Sequence, residues 1–268
     1  SMIFRWLRNR RRLRLLDEPF PPQWEEYILK NVGHFPRLSR EQQAKIRDGV
    51  RIIVGEKNWE SANKFPINDE VKVTIAAQAT LPLLGLTHDY YARVPSIVVY
   101  PKPFEVPDLD EFGDVDDLFP AHVAEGQAMY RGAVVLSWNE VLAEGRDPSL
   151  GANVVIHEFA HQLDFLDGIT NGTPPLEDAQ TEAKWGRVMQ GAFDRHLKDL
   201  KRGGETFFTE HAGENETEFF ADATEAFFCV PYDLVAEEPE VYELLQAYYR
   251  VEPREWFASP PTEPGSGR

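Results

Sequence analysis

Apolar residues recur at helical spacing through most of the chain, broken by two short β-branched runs. Residues 21–60 carry Trp24, Tyr27, Ile28 and Val32 on one stripe, and a further helix is expected after Ser39, an N-cap candidate. Both lie among charged residues and predict surface helices with one apolar face. Residues 69–86, DEVKVTIAAQATLPLLGL, predict a more apolar helix that Pro82 bends or ends. The proline-bounded run PSIVVYPKPF predicts a strand, and residues 133–138 predict another. Residues 153–168, 179–200, 214–229 and 239–249 return to helical spacing, with the turn-rich connection ITNGTPPLED between the first two. No internal repeat is visible. Many helices with two strands predict an α+β fold, helix-rich, with a small mixed sheet beside the helix at 153–168.

Composition narrows the class. A hydrophobic content of 42% and an aromatic content of 12% supply a real core. The net charge of −17 argues against nucleic-acid binding, because a phosphate backbone rewards clustered cations. The exception is residues 1–16, which hold six arginines and no acid. Arginines and apolar residues interleave poorly there, so a solvated or loosely packed arm is expected. Residues 105–117, EVPDLDEFGDVDD, read as a solvated acidic loop, since EF-hand spacing is missing. Cys229 is the only cysteine, which excludes an internal disulfide and thiolate metal sites. No apolar run has the length of a membrane span or of a secretory signal core. The expectation is a cytoplasmic protein without stable membrane insertion.

The chemistry lies in residues 153–168, NVVIHEFAHQLDFLDG, which hold a His-Glu-x-x-His motif. On a helix, His157 and His161 project from one face, where two imidazoles can grip one metal ion. Glu158, beside the first, can then reach a water held at that metal. Val154, Val155, Phe159, Leu163 and Leu166 give the helix a buried stripe, and Asp167-Gly168 offers a stop.

A catalytic zinc site needs a third protein ligand. The HExxHxxGxxH pattern is excluded, since residues 164 and 167 are both aspartate. Asp167 can ligate only if the helix breaks early, because a continuing helix carries it roughly 9 Å along the axis from His161. The remaining source is a carboxylate on the helical segment ENETEFFADATEAFF. Glu218 opens an otherwise apolar face there, and a carboxylate held against phenylalanines needs a cation to justify its burial. Asp222 and Glu225 lie one and two turns on, and one of them is expected to accept a hydrogen bond from the free ring nitrogen of a ligand histidine. Glu214, Asn215 and Glu216 read as a solvated acidic face.

RGAVVLSWNEV, NVVIHEFAHQLDFLDG with NGTPPL, and ETEFFADATEAFF, preceded by TIAAQATLPLLGL and SIVVYP, together resemble the Mlc titration factor A family of zinc metallopeptidases. The similarity spans roughly residues 35–255. That family in turn resembles the catalytic domain of anthrax lethal factor, so the resemblance implies a zincin-like, gluzincin fold. It implies one zinc ion held by His157, His161 and Glu218, with Glu158 as the catalytic acid and base. It implies a zinc metallopeptidase, aminopeptidase-like, acting on peptide substrates. A second function that it implies is capture of a transcriptional repressor of sugar uptake. Seven residues before the ligand glutamate the family tends to have a tyrosine that stabilises the oxyanion, whereas this chain has His211, whose ring can also donate to a developing oxyanion. The expected division is a basic arm at 1–18, a helical subdomain at 19–92, a catalytic domain at 93–258 and a disordered tail at 259–268.

Overall fold

The structure, a computed structural model, describes residues 2–62, 64–102, 132–203 and 205–259. The acidic segment at 105–117 and the tail after Ser259 lie outside the described residues. Ten helices and three strands are described. Helices α1 (Met2–Asp17), α2 (Pro22–Asn31) and α3 (Arg40–Glu56) lead into strand β1 (Asn58–Ser61) and helix α4 (Asp69–Thr80). Strands β2 (Ser96–Tyr100) and β3 (Ala133–Ser137) precede α5 (Trp138–Arg146) and α6 (Val154–Asp164). The chain ends with α7 (Ala179–Arg202), α8 (Glu216–Cys229), α9 (Pro231–Glu237) and α10 (Pro239–Tyr249).

Helix α3 starts as the sequence predicts, with a full capping box: the Ser39 hydroxyl accepts from Gln42 N, and the Gln42 side chain accepts from Ser39 N. It stops at Glu56, and residues 58–61, at the end of a stretch that reads as helical to about residue 60, form β1 instead. That strand is short, polar and exposed, so it carries no alternation to read. Pro82 sits in a 3-10 turn that ends α4, as expected.

The expected mixed sheet is corrected to a parallel one. Among the described residues the order is β1-β2-β3, with Asn58 opposite Ser96 and Ile97 opposite Val134. Helix α4 supplies the crossover between β1 and β2, the kind of connection that parallel strands require. Its residues from Val73 to Thr80 are all buried, with α2, α3, α5 and α6 packed around it. Where α3 crosses α4, Gly49 is required, because a Cβ there would lie 2.4 Å from the Thr80 side chain. One apolar core runs without a break from Ile28 to Trp256.

The arginine-rich segment is not a solvated arm. As α1 it packs on α3, and the buried Arg12 guanidinium makes paired bonds to Glu56 (2.7 and 2.8 Å) and a further one to Asp89. Arg12 also lies 5.0 Å from the centroid of the Tyr90 ring. The poor interleaving of the sequence is explained by a helix that docks through an arginine rather than through an apolar stripe.

Candidate metal centre

Two helices form the site. Asn153 caps α6 by accepting from Ile156 N, and its own side-chain amide donates to Gln78 of α4 (2.8 Å). This locks the first turn of α6 to the central helix. Val155, Ile156, Phe159, Ala160 and Leu163 bury the opposite face, so His157 and His161 point towards α8. The second helix opens with Asn215, whose side chain accepts from Thr217 N and Glu218 N at 3.0 Å. Phe219, Phe220, Phe227 and Phe228 bury α8, leaving Glu218 and Glu225 seven residues apart on the side facing α6.

All three histidines named from sequence converge on one carboxylate oxygen. The Nε2 atoms of His157, His161 and His211 lie 3.0, 3.3 and 3.0 Å from Glu218 Oε2. The ligand atoms of His157, His211 and Glu218 all lie within 4.8 Å of one another. His157 Nδ1–H donates to Glu225 Oε1 at 2.6 Å, so Glu225 occupies the place expected behind a ligand histidine. Asp222 does not share it. Its two oxygens accept from the Thr209 amide and hydroxyl, both at 3.0 Å, because its position on α8 faces the turn before His211. Glu214, expected to be merely solvated, accepts from His211 Nδ1–H at 2.8 Å.

Further residues hold the scaffold and carried no recognisable motif. Asp164, fully buried at the end of α6, accepts from the Gly172 and Thr173 amides, both at 2.9 Å. Gly172 has φ +70°, and a Cβ there would lie 2.3 Å from Glu216 O, so the loop rests directly on the first turn of α8. Glu144 accepts from Val154 N, and its carboxyl is pushed up to about 7 by burial, with Glu225 adding repulsion. Helix α6 breaks into a 3-10 turn at Phe165–Asp167, but Asp167 accepts from Ile169 N and forms no ion pair with a histidine among the described residues.

The electrostatics are those of imidazoles and carboxylates packed together between two helices. Burial lowers the His157 imidazole, yet the bonds to Glu218 and Glu225 outweigh it and raise it well above the usual range. Burial raises Glu218, and the bonds and charges of His157 and His161 overcome that to hold it well below the usual carboxylate range. Glu158 is raised by burial, against the lowering charges of His157 and His161. His161 is fully buried; its Nδ1 has no hydrogen-bond partner among the described residues, and its Nε2 has only the 3.3 Å contact with Glu218. A buried imidazole with so few polar contacts is costly, and a metal ion is a partner that reduces the cost. The nitrogens of His157, His161 and His211 lie 3.0–3.3 Å from the Glu218 oxygen, a spacing that one cation could bridge, although the group whose ligand atoms all lie within 4.8 Å of one another is His157, His211 and Glu218, without His161. The donor set therefore fits a divalent metal bound by imidazole and carboxylate.

Comparison with known proteins agrees. The family model described as glucose-regulated metallo-peptidase M90 matches residues 4–250. A Synechocystis protein, described as uncharacterized, is 30% identical over 249 residues, covering 92% of this chain and 90% of its own. Mlc titration factor A of Escherichia fergusonii is 26% identical over 238 residues, covering 87% of each chain. The protein of the same name from Yersinia pestis strain Pestoides F is 27% identical, covering 86% of this chain and 85% of its own.

Proposed function

Since the chain belongs to the M90 metallopeptidase family, that of the Mlc titration factor A proteins, we propose that it is a zinc-dependent peptidase of zincin-like, gluzincin type with aminopeptidase-like activity. The observation that carries this is His161, fully buried, with no partner at Nδ1 among the described residues and its Nε2 on the same Glu218 oxygen that His157 reaches. His157, His161 and Glu218 would hold the zinc. When bound, the metal supplies Lewis acidity for water and for a peptide carbonyl.

The remaining work belongs to the chain. Glu225 fixes the His157 ring with its proton on Nδ1, leaving the Nε2 lone pair for the metal. Glu158 sits beside His157 on the same helix and is raised by burial, which suits a group that takes a proton and hands it on to the leaving amine. Glu158→Gln should retain zinc and lose peptide hydrolysis by at least 10²-fold, about the worth of a positioned base. Glu218→Ala should lose zinc. Metal analysis and peptide assays on the three proteins test this, and full hydrolysis by the glutamine variant would refute it.

A second reading is a regulator that captures a transcriptional repressor. It is favoured by relatives named Mlc titration factor A. Capture without cleavage predicts that Glu158→Gln keeps the whole biological effect.

A further inference from the structure

We propose that His211 is a fourth protein ligand to the metal, closing the resting coordination shell, and that a peptide enters only when His211 withdraws. The proposal rests on the reading that the site holds a metal.

Three observations separate His211 from a loop histidine that happens to lie nearby. Its Nε2 approaches Glu218 Oε2 at 3.0 Å, the same distance as His157 Nε2, and its ring stacks on the His157 ring with 26° between the planes. Its far nitrogen repeats the pattern of His157: Nδ1–H donates to a carboxylate, Glu214 in place of Glu225. A carboxylate behind an imidazole fixes the tautomer and turns the unprotonated nitrogen to a metal. The turn that carries His211 is also braced on all sides. Thr209 is held by Asp222 through its amide and hydroxyl, its carbonyl accepts from His196 Nε2 at 3.0 Å, and its hydroxyl accepts from Ala212 N. A surface histidine needs no such support.

The same geometry argues against an oxyanion donor. Glu214 holds Nδ1, and Nε2 lies 3.0 Å from Glu218 Oε2. A metal held between them would take the Nε2 lone pair and leave the ring no N–H for a developing anion.

Position decides what the fourth ligand does. His161 is fully buried, whereas the His211 side chain is 54% exposed, at the solvent side of the cluster. That is the side from which water or a peptide carbonyl must come. A zinc site with four protein ligands is closed, and one with three is open. His211 is carried by a 3-10 turn rather than by α6 or α8, and its side chain is exposed, so its ring can swing off the metal about its own side-chain torsions while the braced turn stays in place.

The test uses the full chain loaded with zinc, in wild type, His157→Ala, His211→Ala and Glu214→Gln forms. X-ray absorption counts imidazoles, and competition with a chromophoric chelator gives affinity. Three imidazoles are expected in wild type and two in His211→Ala, with zinc held at least tenfold more weakly. Glu214→Gln should keep three imidazoles and weaken zinc severalfold. Zinc binding that depends on His157 but is unchanged in count and affinity by His211→Ala would overturn this inference alone. A wild type that takes up no stoichiometric zinc would overturn the peptidase reading with it.

Discussion

The three imidazoles differ in what holds the nitrogen that points away from Glu218. His157 has Glu225, His211 has Glu214, and His161 has no partner at Nδ1 among the described residues, so on that side its ring is held by packing. Glu225 has a second task, since it also accepts from Asn153 N at the cap of α6. Removing it therefore strips His157 of its orienting partner and leaves a buried amide unpaired. Glu225→Ala should weaken zinc 10- to 100-fold and lower stability by about 1–3 kcal/mol. Chelator competition and urea unfolding read the two effects, and unchanged zinc affinity would mean that Glu225 is only a cap. This pairing was legible in sequence, because positions 218 and 225 share a helix face. Glu214 was not: it lies three residues after His211 on a turn without periodicity, and only the fold shows that the turn bends back to α8.

At the scale of elements, the HExxH helix and its partner could be read because both are long, periodic and capped by asparagine. What sequence could not show is how the far end of α8 is tied down. His34 lies before α3, is fully buried, and donates from Nε2 to Phe228 O at 2.9 Å, satisfying a carbonyl in the last turn. Trp256 and Phe257 stand edge-on to its ring. Burial, aided by the charge of Arg37 and opposed by the Phe228 carbonyl, lowers the imidazole to about 4. In the unfolded chain the ring takes a proton below about pH 6.5, whereas in the folded chain it does so only below about 4. The neutral ring's contribution is thus fully present above pH 6.5 and is lost as pH falls through that window, about 3 kcal/mol in all. His34→Gln can keep a donor for Phe228 but cannot titrate. Urea midpoints at pH 7 and pH 4.5 should draw together in the variant relative to wild type, and an equal acid loss in both would place the sensitivity elsewhere. A lone histidine in a polar stretch gave no hint of this role, because its partner is 194 residues away.

For the whole molecule, the open question was how a strongly acidic chain uses six arginines gathered in residues 1–16. Charge patterning suggested an arm that stays in water, yet the same patterning admits a helix that neutralises acids on the body. The structure takes the second course. Arg12 and Glu56 are each only 10% exposed at the side chain, and Arg12 also joins the half-exposed Asp89. Breaking a buried pair from one side leaves its partner charged and poorly solvated. Arg12→Ala should cost about 2 kcal/mol, discounted from the value for a fully buried pair because Asp89 faces water. For a chain of this size that is a fall in Tm of about 6 °C. A buried pair is screened little by salt, so the difference should persist at 0.5 M salt, whereas the loss from cutting the more exposed Arg195–Glu238 pair should fade. Zinc content should stay constant, since α1 gives no residue to the metal centre. A solvated arm makes the opposite forecast: no change in Tm at any salt concentration.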